Sequence, residues 1–153
     1  MINEIQKTIL ANIQNGSDTY LVGPTDSGKT WFVEHELIPF LQNEGLAVRY
    51  FENANKITPD IKFSEDVVIM DETEILVDKS FREGLHPAER PFYSPDYLDK
   101  VATWHKVFKN ISQPAVFIIT RNKPEEIDHL IQTIRQNEWN GKPARAIEFV
   151  RNF

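Results

Sequence analysis

The sequence predicts an α/β fold with a mostly parallel sheet, and three observations predict it. The first is the run Gly23-Pro24-Thr25-Asp26-Ser27-Gly28-Lys29-Thr30, of the form G-x-x-x-x-G-K-[ST]. It lies between a short β-rich run, Thr19-Tyr20-Leu21-Val22, and a helix-suited segment, Trp31-Phe32-Val33 with Leu37. The second is Val67-Val68-Ile69-Met70, closed by Asp71-Glu72. Four apolar residues without alternation suit a strand buried on both faces, the habit of parallel sheets. The third is Ala115-Val116-Phe117-Ile118-Ile119-Thr120, another apolar strand ending in polar residues, Arg121-Asn122.

Residues 2–15 open the chain. Ile2, Ile5, Ile9 and Ile13, with Leu10 beside them, make one apolar stripe on a helix. Asn15-Gly16-Ser17-Asp18 stops it. The helix after the glycine run is expected from about residue 28 to 37, with Pro39 bending or ending it and a last turn reaching Asn43. Gly45 reads as the C-terminal stop, and residues 46–51 as the next strand. Residues 53–64 are polar, hold Pro59 and read as loop or short helix.

Residues 73–113 are the individual part of the chain. Residues 78–94 mix two prolines, aromatics and charges and read as a long loop beside a strand end. Ser94-Pro95-Asp96 supplies a cap, a first-turn proline and an acid, opening a helix with Tyr97, Leu98, Val101, Trp104, His105 and Phe108 on its apolar side. His86 reads as a loop residue and His105 as a helix residue, and no metal-ligand spacing links them. Pro124-Glu125-Glu126 opens a further helix buried through Ile127, Leu130, Ile131 and Ile134. Asn140-Gly141 ends it, and residues 144–150 read as a final strand.

Composition bounds the rest. The 153 residues fit one domain, 1–153, with a sizeable core. A net charge of −6 argues against general affinity for nucleic acid or an anionic membrane. With no cysteine, disulfides, thiol catalysis and cysteine-ligated zinc are excluded. No apolar stretch has the length of a membrane span, and Met1-Ile2-Asn3-Glu4-Ile5-Gln6-Lys7 lacks the layout of a signal peptide, so a cytoplasmic location is expected.

The eight-residue run from Gly23 to Thr30 is the phosphate-binding loop, or Walker A motif. Gly23 and Gly28 permit backbone angles and close approach that side chains would block. Successive N–H groups of such a loop form an anion nest, and the helix that follows adds its positive dipole end. Lys29 is then expected at the β- and γ-phosphates and the Thr30 hydroxyl on Mg²⁺. Ligands of open α/β sheets sit at the carboxyl ends of the strands. Asp71 is therefore expected beside the loop, holding Mg²⁺ directly or through water, with Glu72 able to polarise an attacking water. Thr120 or Asn122 is placed to hydrogen-bond the γ-phosphate or that water.

The order of Walker A, an intervening strand, four apolar residues with Asp-Glu, then a strand ending Thr120-Arg121-Asn122, resembles the P-loop ATPases with an added catalytic glutamate, and within them the AAA+ group. The resemblance spans residues 16–151 and is carried by three short motifs. It implies a three-layer αβα sandwich with five parallel strands in the order 5-1-4-3-2, and Asn122 at the sensor 1 position. It also implies an arginine finger reaching a neighbour's site, with Arg135 and Arg145 as candidates. No helical lid or sensor 2 arginine can be assigned in the sequence, so high intrinsic turnover and ring assembly are not expected.

The expected function is Mg²⁺-dependent ATP binding with slow hydrolysis. ATP is favoured over GTP because the N-K-x-D signature of GTPases is missing. Two alternatives stay open: a small-molecule or nucleotide kinase whose acceptor is covered by residues 73–113 with Arg82, Arg90 and Tyr93, and an ATP-dependent switch binding a protein partner through that segment.

Overall fold

The computed structural model describes residues 2–24, 27–52, 57, 58, 60–71, 103, 106, 107, 111–120, 125, 128 and 143–149. Five strands form one sheet: β1 (Asp18–Gly23), β2 (Val48–Phe51), β3 (Val67–Met70), β4 (Ala115–Thr120) and β5 (Ala144–Glu148). Every pairing is parallel, and the order β2-β3-β4-β1-β5 is the expected 5-1-4-3-2 written from the other edge. The chain steps from β1 out to β2 on one side and from β4 to β5 on the other. The carboxyl ends of β1 and β4 therefore flank the point where the connections diverge, which is where such sheets leave a crevice.

Both faces of the sheet are buried, which accounts for its unalternating strands. On one face Leu21, Val67, Ile69, Val116 and Ile118 meet Ile9 and Ile13 of α1 (Ile2–Gln14) and Phe32, Val33, Leu37 and Leu41. On the other, Tyr20, Val22, Val68, Met70, Phe117 and Ile119 meet Ile57 and Ile111, with Ile61, Phe63 and Val107 against them. Thr103, Lys106 and Val107 are helical, as are Glu125 and Asp128, in the regions where the two later helices are expected; the rest of both, and the loop expected at 78–94, lie outside the described residues.

The segment after the phosphate-binding run ends at Asn43, as expected, and Pro39 is accommodated by a change of helix type without ending the helix. The chain stays helical through α2 (Lys29–Phe32), a π-helical turn (Val33–Leu37) and α3 (Ile38–Asn43). Proline in a regular helix leaves the carbonyl four residues back unpaired and presses its ring on it, at about 3 kcal/mol. Here the bonding lengthens before the proline: the Ile38 N–H donates to Val33 O, five residues back. Pro39 thereby falls in the first turn of α3, where its missing N–H costs least. Continuing the helix also keeps Leu41 fully buried, a gain of roughly 1.5–3 kcal/mol that a break at Pro39 would forfeit.

At the far end of the sheet, Asp18 does work that its place in a turn signal does not suggest. It is fully buried, and its Oδ1 accepts the Ala115 N–H at 2.9 Å, tying the start of β4 to β1. Beside it Asn12 Nδ2 donates to Thr19 Oγ1 at 3.1 Å, fixing α1 to the strand. Asp18→Ala strands a buried backbone donor, so it should lower unfolding free energy by about 1–3 kcal/mol. Urea titration reads this directly, and a loss below about 0.5 kcal/mol would show that the carboxylate is not the group holding Ala115.

Candidate functional site

The site is built where β1 ends. Gly23 closes the strand, paired in register with Thr120 of β4. Gly28 then takes the left-handed conformation, φ 88°, and no side chain caps the helix that begins after it. A left-handed residue there costs a β-carbon-bearing side chain about 1–2 kcal/mol, which is the reason for this glycine. The first N–H groups of a helix have no acceptor within it. The Phe32 N–H pairs back to Gly28 O at 2.8 Å.

Gly23 is a glycine for a different reason. Its φ is not positive; instead, a β-carbon there would stand 3.2 Å from both Cβ and O of Phe149 and 3.3 Å from Lys29 Cδ. The close approach expected of it from the sequence is to the protein itself.

Lys29 is 6% exposed, which for an ammonium demands full hydrogen bonding. Its Nζ donates to Gly23 O at 2.8 Å and Pro24 O at 2.6 Å, with Ser27 Oγ at 3.4 Å. The lysine thus lies along the inside of its own loop. Asp71, one residue past β3 and 7% exposed, is held by its own N–H donating to Phe51 O at 2.9 Å, which extends the β2–β3 ladder. Its Oδ2 accepts the Thr30 hydroxyl at 2.6 Å, across 41 residues of sequence. The structure therefore brings together Gly23, Pro24, Ser27, Gly28, Lys29, Thr30 and Asp71. Thr25, Asp26, Glu72, Asn122 and Arg135 lie outside the described residues. Arg145 is exposed on β5 and pairs with Thr19, toward the end of β1 away from the loop.

A hydroxyl and a carboxylate in direct contact are hard oxygen donors of the kind Mg²⁺ takes, and Mg²⁺ commonly uses one or two protein ligands with waters completing its shell. The residues present therefore fit that ion. Among the described residues no group of three or more acidic, histidine or cysteine side chains could hold a metal, and no helix is long and apolar enough to cross a membrane.

Sequence reasoning missed two neighbours of this pair. Tyr50 of β2 donates its hydroxyl to Glu34 Oε1 at 3.3 Å, and Glu34 lies one helical turn beyond Thr30. Burial chiefly, then the negative charges of Asp71 and Glu34, push the Tyr50 phenol far above its usual range. The i, i+4 spacing from Thr30 to Glu34 was visible in the sequence; the register that puts Tyr50 against it was not.

The molecule is thus a parallel α/β protein with a phosphate-loop sequence at the carboxyl end of its first strand. No protein-family profile and no curated protein matches the chain. Among solved structures it is similar to a DNA replication initiation factor, at 15% identity over 95% of this chain, with a TM-score of 0.44. It is also similar to the replication initiator DnaA bound to AMPPCP and single-stranded DNA, at 13% identity over 96% of this chain, with a TM-score of 0.45. The chain spans 44% and 45% of the length of those two.

The phenol gives the site a pH signature. The folded state holds the Tyr50 proton more tightly than the unfolded chain, whose phenol titrates near 10.0. Stability is therefore independent of Tyr50 well below that value and falls as pH rises through it. Tyr50→Phe should make the decline in melting temperature between about pH 9.5 and 11 shallower than in the unmodified protein. Identical slopes would mean that Tyr50 ionises freely.

Proposed function

We propose that the chain binds ATP and hydrolyses it slowly with Mg²⁺, as a small P-loop ATPase of AAA+ type. The observation that supports this reading best is the contact between Thr30, at the helix start after β1, and Asp71, just past β3, two strands whose carboxyl ends lie at the same edge of the sheet with β4 between them.

In this reading residues 1–153 act as one nucleotide-binding domain. The amides from Gly23 to Thr30, with Thr25 and Asp26 between them, cradle the phosphates, and Lys29 exchanges loop carbonyls for β- and γ-phosphate oxygens. Thr30 and Asp71 would hold Mg²⁺, which when bound neutralises charge on those oxygens. Glu72, the next residue after Asp71, orients a water toward the γ-phosphorus. As water attacks, the bond to the bridging oxygen breaks, giving ADP and phosphate. Asn122, two residues beyond β4, hydrogen-bonds the γ-phosphate or the water. Positioning and charge supply most of the rate in such chemistry, and little covalent help is needed. Arg135 and Arg145 are the candidates to reach a neighbouring copy's site.

Calorimetric titration with ATP and Mg²⁺ tests the loop. Lys29→Ala should abolish measurable binding, a loss of about a hundredfold or more for a charge-assisted phosphate contact. Undiminished affinity would remove the loop from the assignment. Glu72→Gln should bind ATP normally while phosphate release falls by about a hundredfold or more. Turnover equal to that of the unmodified protein would take Glu72 out of its role.

A further inference from the structure

We infer that Phe149 is a positioning residue for Lys29: it clamps both ends of the phosphate loop from the exit of β5. This rests on the reading of that loop as a nucleotide site and adds a residue that no motif assigns. Phe149 follows the last residue of β5 and is 2% exposed.

Its contacts fall on the loop's two anchors. Its N–H donates to Val22 O at 2.7 Å, carrying the β1–β5 ladder one step beyond the strand. This sets its Cβ and carbonyl against Gly23, each 3.2 Å from where a β-carbon would stand, at a spot that Lys29 Cδ approaches to 3.3 Å. Gly23 is the last residue before the loop. The ring of Phe149 meets that of Phe32 at 5.2 Å and 45°. Phe32 lies on the helix that starts with Lys29, and its N–H binds Gly28 O. One residue thus touches the entry to the loop through its main chain and Cβ, and the exit through its ring.

The consequence is geometric. A loop rich in glycine has many conformations, and only a narrow set lets amides and a lysine converge on one phosphate. Fixing the separation of its ends removes most of the others before a ligand arrives, so less ordering is left to binding. It also means that whatever shifts the β5 exit is felt at Lys29.

The two contacts can be separated. Phe149→Ala keeps the main chain and Cβ at Gly23 and loses the ring on Phe32; Phe149→Leu restores much of the apolar volume. Hydrogen exchange read peptide by peptide, together with ATP titration of the full chain, tests the clamp. In Phe149→Ala, exchange across residues 23–32 should rise about tenfold with α1 and β3 unchanged, and ATP affinity should fall about tenfold. Phe149→Leu should recover most of both. Should Phe149→Ala fail to fold, the leucine variant carries the comparison, with the same direction and a smaller shift. Exchange that rises equally everywhere makes Phe149 ordinary core and overturns the inference. So does a loosened loop with unchanged affinity. Titration of the unmodified protein separates the two readings: if it takes no ATP, both fall, and if it takes ATP while the Phe149 variants match it, only the clamp does.

Discussion

The structure depends on one contact, the hydrogen bond from the Thr30 hydroxyl to Asp71. It joins the helix leaving β1 to the end of β3, although β4 lies between those strands in the sheet. Two ionisable groups near it are almost fully buried, Lys29 at 6% and Asp71 at 7% exposure. Burial of charge is costly unless each group is hydrogen-bonded. Lys29 meets that condition with the carbonyls of its own loop, and Asp71 with a hydroxyl and an anchored backbone. Each charge thus has hydrogen bonds to groups that a ligand can replace, loop carbonyls for Lys29 and a hydroxyl for Asp71.

The sheet exists to make that arrangement possible. Parallel strands buried on both faces send all their carboxyl ends to one edge, where the polar ends Gly23, Asp71 and Thr120 collect. Apolar packing on both sides fixes register, because a slip of one residue would turn every side chain of a strand to the wrong face. The site thus inherits its placement from side chains that never touch it, such as Ile69 and Ile118.

What could be read from the sequence follows from how local each signal is. The strands at 67–70 and 115–120 were legible to the residue because an apolar run stops sharply at a charged or polar one. The Asp71–Thr30 partnership was legible because a fold with diverging connections has one crevice and both residues carry the chemistry for it. The helical turn reaching Asn43 was legible, but the means by which the helix accommodates Pro39 was not: the π-helical turn over residues 33–37 has no signature in the local sequence. Tyr50, Glu34 and Asp18 were missed for the same reason. Asp18 reaches Ala115 through the register of β1 and β4, and Tyr50 reaches Glu34 through a helix packed on the sheet, and no spacing in the chain announces such a partner. Glu72 and Asn122 rest on the sequence alone.

Gly23 and Gly28 show how one motif can hide two constraints. In the sequence they are equivalent letters of the same pattern. In the structure Gly28 answers to backbone torsion, so a side chain there meets a local strain that does not depend on its neighbours. Gly23 answers to packing, and a methyl group there must displace Phe149 or the stem of Lys29. The first cost stays at the loop's exit. The second travels, because Phe149 is tied to Val22 by its amide and to Phe32 by its ring. A glycine that looks like part of a phosphate cradle is therefore also a close-packed junction between β1, the exit of β5 and the stem of Lys29. The loop's shape belongs as much to β5 as to the eight residues that spell the motif.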